Sequence, residues 1–263
     1  MGVFNIMTYY NGDCMDYLPL IHDNKIQLII TSPPYNIGKE YEDKKDLNSY
    51  LTTQDKIIKE LVRILNPCGS LCYQVGFYVN NGEIYPLDIL LYPLFKKYGL
   101  KLRNRIVWTF NHGLHAKHRL SGRHETILWF TKTDDYIFNL DPIRIPQKYP
   151  NKKAFKGPNK GKLSCNPLGK NPGDVWPITN IKANHPEKTA HPCQFPEELV
   201  GRCVLSLSNR GDMVLDPFAG SGTVGVVCER LGRDYLLIEK EEDYCSIGKN
   251  RINEFKKQTV LID

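Results

Sequence analysis

The segment from Met213 to Glu239, MVLDPFAGSGTVGVVCERLGRDYLLIE, constrains the fold more than any other part of the chain. "MVLD" reads as a short buried strand, "GTVGVVCERLG" as a helix and "DYLLIE" as a second strand. Gly220, Gly222 and Gly225 follow the pattern G-x-G-x-x-G, and Glu239 closes the second strand. The glycine spacing alone is weak. Placed after a strand, at the opening of a helix and before a terminal acid, it is the arrangement that binds nucleotides. Glycines let the backbone approach a ligand closely, and Glu239 can accept hydrogen bonds from both hydroxyls of a ribose. A ligand-free strand-to-helix turn would need the glycines but not the complete unit.

Such a unit usually opens a nucleotide-binding domain, yet here about one more short helix fits after it. The other strands must come from earlier residues. "YYNGDCMDYLPLI" gives a short strand, a turn at Asn11-Gly12 and the start of a helix. "IQLII" is a strand, and "TQDKIIKELVRIL" a helix with Ile57, Ile58, Leu61, Val62 and Leu65 on one face, stopping at Asn66-Pro67. "SLCYQV" is a strand, "PLDILLYPLFKKYG" a helix closing at Gly99, and "LRNRIVWTF" and "HETILWFTK" are β-rich. "FPEELVGRCVLSLS" is a helix with Pro196 in its first turn and Gly211 just past its end. Alternating strands and helices imply a mostly parallel sheet with helices on both faces. The expected fold is α/β: a circularly permuted Rossmann-like domain, feasible because domain termini usually lie close together.

"IITSPPYN", Ile29 to Asn36, is an odd way to leave a buried strand. Pro33 and Pro34 lack backbone donors and fix φ, so they make a stiff corner that cannot stay in a sheet. In the permuted order this corner ends the strand beside the Gly-rich strand. Ligands of such sheets bind outside the carboxyl ends of the strands, where the strand order reverses. The corner and the nucleotide loop then face one crevice.

Composition adds limits. The chain has 263 residues, 41% hydrophobic and 24% charged, enough for one large domain or one domain with an insertion. No apolar run is long enough to span a bilayer, "ILLYPLF" at Ile89 to Phe95 being interrupted by a proline. "MGVFNIMTYYNGD" has no secretory pattern, and Ile6 stands where myristoylation wants Ser or Thr. Eight scattered cysteines, the closest being Cys68 and Cys72, suggest neither a zinc site nor a disulfide framework. A reduced, cytoplasmic protein is expected. Net charge is +6, and from Pro142 to Gly173 the chain carries Arg144, Lys148, Lys152, Lys153, Lys156, Lys160, Lys162 and Lys170 with no Asp or Glu. The stretch is either a solvated loop or a surface that meets phosphates. His112, His115 and His118 are three apart, but no carboxylate or cysteine completes a set, so no metal is expected.

"TSPPY" at Thr31 to Tyr35, "HPCQFPEEL" at His191 to Leu199 and "DPFAGSGT" at Asp216 to Thr223 together resemble the motifs of amino-group DNA methyltransferases, in the order of their β class. The resemblance covers nearly the whole chain. It implies a seven-stranded Rossmann-like sheet, S-adenosyl-L-methionine as methyl donor, double-stranded DNA as partner and a flipped base as acceptor. By the resemblance, Ser32 and the carbonyl of Pro33 hold the amine, Pro34 stiffens the corner and Tyr35 stacks on the base. Asp13 contacts the cofactor's adenine, although Asn-Gly-Asp is equally a turn signal. Asp216, Pro217, Phe218, Ala219, Gly220, Ser221, Gly222 and Thr223 form the cofactor loop, with Glu239 and Lys240 at the ribose. Lys188, Thr189, His191 and Phe195 belong to the stretch that closes over it. Ser32, and Phe195 where adenine enzymes often carry Lys, favour cytosine N4 over adenine N6. The basic stretch becomes the target-recognition region, placed at residues 135–187 between a catalytic part, 1–134, and a cofactor part, 188–263. Arg119 and Arg123 are further DNA contacts. A cognate restriction endonuclease is an expected functional partner, and the chain would be a monomer or homodimer. A nicotinamide dehydrogenase would explain the glycine loop but not "TSPPYN"; a plain DNA-binding module would explain only the basic stretch. An RNA or protein amine methyltransferase is a closer rival, since related corners serve amines there.

Overall fold

β2 (Ile26–Thr31) shows how the sheet is built: every residue in it is buried. Leu28 and Ile30 enter the core on one face and Ile29 the core on the other. A strand covered on both faces needs a continuous apolar run, which is what "IQLII" supplies. The structure, a computed structural model, describes residues 7–38, 42, 44–113 and 115–260. In chain order the elements are β1 (Thr8–Asn11), α1 (Cys14–Tyr17), β2, α2 (Leu47–Ile64), β3 (Leu65–Val75), β4 (Phe77–Asn80), β5 (Glu83–Pro86), α3 (Leu87–Lys97), β6 (Lys101–Thr109), β7 (His124–Thr131), β8 (Val175–Pro177), α4 (Glu197–Leu207), β9 (Met213–Asp216), α5 (Thr223–Leu231), β10 (Asp234–Glu239) and α6 (Glu242–Val260).

The main sheet has the order β1-β10-β9-β2-β3-β7-β6-β8. Only β7 runs against its neighbours. Seven of these strands are the expected set. The eighth, β8, comes from the stretch assigned to the insertion and pairs with β6 through Val107↔Val175 to Thr109↔Pro177. β4 and β5 form a separate hairpin whose turn uses Asn81 and Gly82, both with positive φ.

Helices α1, α2 and α3 cover one face of the sheet, and α4, α5 and α6 the other. Tyr50, Gln54, Ile57, Ile58, Leu61 and Ile64 form the buried stripe of α2, which begins at an Asp46 N-cap, earlier than the sequence suggested. Leu65 is not on that stripe; it opens β3 directly, because the chain turns at Ile64 without a loop. The final helix is 19 residues long rather than short. Connections leave β9 and β2 toward opposite faces: α5 leads β9 to β10 on one side, and α2 leads β2 to β3 on the other. The strand order therefore reverses between β9 and β2, where a crevice must open.

Candidate active site

The two motifs meet at that reversal point. β2 and β9 pair at Leu28↔Val214 and Ile29↔Leu215, which brings Thr31 beside Asp216. The Thr31 hydroxyl donates to Asp216 Oδ1 at 2.6 Å, and the Phe218 amide donates to the same oxygen at 3.1 Å. One wholly buried carboxylate thus fastens the start of the proline corner to the start of the glycine loop. Burial pushes its pKa up to about 7.

After Asp216 and Pro217 the chain curls through Phe218, Ala219, Gly220, Ser221 and Gly222 into α5 at Thr223. Gly220 has φ 51° and Gly222 φ 74°, conformations that side chains rarely adopt. A Cβ on Gly220 would stand 2.9 Å from His191 Nε2, and one on Gly222 would stand 3.0 Å from the Gly248 backbone. Glu239, at the end of β10, accepts from the Gly220 amide at 2.8 Å through Oε2 and from the Glu241 amide at 2.9 Å through Oε1. Tyr9 donates to the Gly220 carbonyl at 2.5 Å. Ser221 and Thr223 are buried, and the Thr223 hydroxyl accepts from Arg251 at 2.9 Å. Lys240 is exposed just beyond Glu239.

Asp13 lies close by, because Gly12 donates its amide to the Glu239 carbonyl at 2.9 Å. Its carboxylate accepts from the Met15 amide at 2.9 Å and caps α1, so the turn reading and the proximity to the loop both hold. The segment from Lys188 to Phe195 packs over the glycine loop. Lys188 Nζ donates to the His191 carbonyl at 2.5 Å, and the Thr189 hydroxyl donates to Gln194 at 3.1 Å. His191 is buried, stacks edge-on to Tyr244 and accepts from the Cys193 amide through Nδ1. Burial and the neighbouring Lys188 lower its pKa to about 4, so the ring is neutral near pH 7. Phe195 packs against the core beneath.

The proline corner carries a polar network of its own. Tyr50 donates to the Pro34 carbonyl at 3.0 Å, while the Pro33 carbonyl takes no protein donor among the described residues. Ser32 Oγ lies 3.2 Å from Tyr35 Oη, which donates to Glu125 Oε2 at 3.1 Å. Gln74, near the end of β3, donates to Tyr35 Oη at 2.7 Å and also to Glu125. Sequence reasoning missed Thr31 as a tether, and Tyr9, Tyr50, Gln74 and Glu125 altogether. Glu125 is the second residue of β7, in an apolar run that gave no sign of a polar partner; only the antiparallel pairing of β7 with β3 brings it to the corner.

The basic stretch is narrower than its expected borders. Residues 135–143 pack along α4, as the bond from the Asn139 amide to the Ser206 carbonyl at 2.7 Å shows, and 175–177 belong to the sheet. The part that leaves the body is 146–169, its neck closed by the Ile145–Lys170 bridge. Arg144 is not free for phosphate: it donates to Asp141 at 2.6 Å and to the Gly169 carbonyl at 3.2 Å. Lys148, Lys152, Lys153, Lys156, Lys160, Lys162 and Lys170 are exposed, with Lys148 over the Tyr149 ring. Arg119 is exposed, and Arg123 is half-buried and donates to the Gly122 carbonyl. Among the described residues no set of three or more His, Cys, Asp or Glu is placed to hold a metal ion.

The donor set suits a nucleoside with a charged tail. Glu239 can meet sugar hydroxyls, the half-buried Phe218 ring can meet a flat base, and the bare Gly220 and Gly222 backbone leaves the space a ligand needs. Lys188 adds a cation to the segment over the loop, held there by its bond to the His191 carbonyl. Comparison with known proteins identifies the family. Residues 26–250 match the DNA methylase family N6_N4_Mtase. The Type II methyltransferase M.BglII of Bacillus subtilis is 53% identical over 240 residues, spanning 91% of this chain and 67% of that one. The DNA adenine methyltransferase YhdJ of Escherichia coli K12 is 33% identical, over 94% of this chain and 82% of that one. The solved PvuII DNA methyltransferase, cytosine-N4-specific, superposes with a TM-score of 0.74 at 20% identity, over 95% and 91% of the two chains. A putative DNA modification methylase of Thermus thermophilus, complexed with S-adenosyl-L-methionine, superposes at 0.65 with 24% identity, over 94% and 95%. The chain belongs to the N6/N4 DNA methylase family, whose members transfer a methyl group from S-adenosyl-L-methionine to DNA.

Proposed function

We propose that this methyltransferase acts on the exocyclic amine of a base flipped out of duplex DNA at a specific sequence, and that the base is cytosine, methylated at N4. The observation that carries the reading is the 2.6 Å bond between Thr31 and Asp216, which ties the Ser32-Pro33-Pro34-Tyr35 corner to the cofactor loop. The exocyclic amine is a poor nucleophile because its lone pair is conjugated into the ring. Two acceptors facing its N–H groups hold the nitrogen still and favour the pyramidal form, whose lone pair can reach the methyl donor. Ser32 Oγ and the Pro33 carbonyl are those acceptors. The prolines fix the carbonyl direction in advance, so little ordering is left for the reaction step. Tyr35 offers a ring face to the base. When bound, S-adenosyl-L-methionine supplies an electrophilic methyl group on a sulfonium. The chain's part is to hold its sugar at Glu239 and its carboxylate at Lys188, under the neutral His191.

Ser32 and Phe195 support cytosine. The 33% identity to a DNA adenine methyltransferase supports the second reading, adenine N6, with the same acceptors and the same site. The Type II names of several relatives support a functional pairing with a restriction endonuclease. The test is mass spectrometry of nucleosides from plasmid DNA incubated with protein and S-adenosyl-L-methionine. N4-methylcytosine is expected; N6-methyladenine would transfer the assignment to adenine, and no methylated base would overturn a DNA substrate. Ser32→Ala is expected to lower single-turnover methylation roughly 100-fold while S-adenosylhomocysteine binding is unchanged. Loss of that binding would place Ser32 elsewhere in the crevice.

A further inference from the structure

Glu125 has no part in the roles assigned above, yet it ends a chain of hydrogen bonds that starts at Ser32. Tyr35 has one hydroxyl proton, and it is given to Glu125 Oε2 at 3.1 Å. Gln74 donates to Tyr35 Oη from the side at 2.7 Å. With its proton committed, Tyr35 can only accept from Ser32, 3.2 Å away. The Ser32 hydroxyl proton must then point into the protein, and its lone pairs must point toward the crevice. A carboxylate two bonds away thus decides the direction of every donor in the chain. Glu125 is half-buried, and its other oxygen, Oε1, takes no protein partner among the described residues.

We propose that Glu125 is a positioning residue which, through Tyr35, fixes Ser32 as a hydrogen-bond acceptor for the target amine and then receives the proton that methylation releases. The inference rests on the reading of Ser32 as the amine's acceptor. In the balanced step, a nitrogen–methyl bond forms as the sulfur–methyl bond breaks, leaving a neutral thioether and a cationic amine. The amine's extra proton passes to Ser32 Oγ, the Ser32 proton to Tyr35 Oη, and the Tyr35 proton to the Glu125 carboxylate. The half-buried Glu125 then gives the proton up to solvent before the next turnover. A neutral serine in the corner thereby borrows a negative charge that it does not carry itself.

The groups facing this chain are few. Tyr35 and Gln74 bond to Glu125, and Cys193 acts on Tyr35 from the closing segment. No basic side chain pairs with Glu125 among the described residues, and burial raises its pKa above the usual carboxylate range. A protonated Glu125 no longer claims the Tyr35 proton. Tyr35 can then donate to Ser32 and turn its lone pairs away. The rate should therefore fall as pH drops through the raised Glu125 pKa.

The experiment compares wild type, Glu125→Gln, Tyr35→Phe, the double variant and Ser32→Ala, each as the full chain. Single-turnover methylation is followed across pH, with S-adenosylhomocysteine binding by calorimetry and Tm as controls. Glu125→Gln is expected to lose roughly 10- to 100-fold in rate, to lose the acid limb of the profile, and to bind S-adenosylhomocysteine as wild type does. The double variant should be no worse than the worse single one, since a chain broken twice is still one broken chain. Retention of wild-type rate and acid limb in Glu125→Gln overturns the proposal. So does a rate loss with the acid limb intact, which would mean support without orientation. If Tm or S-adenosylhomocysteine binding collapses in Glu125→Gln, Tyr35→Phe decides by the same acid-limb criterion. If Ser32→Ala also keeps its rate, the reading of Ser32 itself has failed; if Ser32→Ala fails and Glu125→Gln does not, only the chain has.

Discussion

At the scale of single residues, Asp216 shows how burial moves a carboxylate out of its ordinary chemistry. Its Oδ1 takes two donors, and its Oδ2 is buried with no hydrogen-bond partner among the described residues. Desolvation raises its pKa from 3.8 to about 7, against the pull of Thr31 and Phe218. The folded chain then holds this proton more tightly than the unfolded chain does. Its contribution to stability is complete below about pH 4 and is lost as pH rises toward 7. A shift of about three pH units is on the order of 4 kcal/mol. His191, neutral when folded, works in the opposite direction, since its stability contribution is lost as pH falls from 6.5 toward about 4. The two are separated by Asp216→Asn, which keeps the shape and has no proton to lose. Thermal unfolding at pH 5 and pH 8, without ligand, should show a smaller loss of Tm across the interval in the variant than in wild type. Equal losses would mean that Asp216 titrates like an exposed carboxylate.

At the scale of elements, glycine decides how close two pieces of backbone may come. Gly248, in α6, faces Tyr9 of β1, and a Cβ there would stand 2.9 Å from Tyr9 Oη and crowd the ring. Tyr9 is also the donor to the Gly220 carbonyl, so α6 helps set the cofactor loop through a tyrosine that never leaves the core. Gly248→Ala is expected to cost roughly 1–3 kcal/mol by overpacking and to weaken S-adenosylhomocysteine binding as the loop shifts. Urea unfolding and calorimetry check both; unchanged binding would separate the loop from α6. This coupling was invisible in sequence, because a glycine inside a helix pattern says nothing about what it faces. The strands around the site were legible: "IQLII", "MVLD" and "DYLLIE" are apolar runs bounded by turn residues, and each became a strand at its expected place. The β4–β5 hairpin was missed although Asn81-Gly82 is a turn signal, since its flanks are short and half exposed. β8 was missed because three residues carry no period; it exists through its pairing with β6 and through Trp176, buried against the core. The corner and loop of the candidate site could be read from their residue types. Glu125 and Gln74 could not, because their place depends on the antiparallel register of β3 and β7.

At the scale of the whole molecule, the question is where the net charge of +6 goes. In the α/β body, Arg63, Arg103, Arg105, Arg202, Arg230 and Arg251 all sit in ion pairs. In the excursion from 146 to 169 no lysine does so among the described residues, and Arg144 at its neck is the one paired cation of the basic stretch. Its apolar side chains are also turned out: Phe155 is 91% exposed and Tyr149 62%. Uncompensated lysines interleaved with bare rings support the proposed DNA contact, since a surface that follows a sugar-phosphate backbone uses both. Each lysine that replaces a counterion on duplex DNA adds about 0.9 to the slope of log affinity against log salt. The triple variant Lys152→Gln, Lys153→Gln, Lys156→Gln should therefore bind non-specific duplex more weakly, with a slope shallower by up to about 2.7. Binding of S-adenosylhomocysteine should not change, since these residues lie outside the crevice. Fluorescence anisotropy of a labelled duplex from about 50 to 200 mM salt measures the slope directly. A weaker affinity with an unchanged slope would mean that these lysines act by shaping the excursion rather than by meeting phosphates, and the DNA grip would then have to be sought around Arg119 and Lys117, in the connection between β6 and β7.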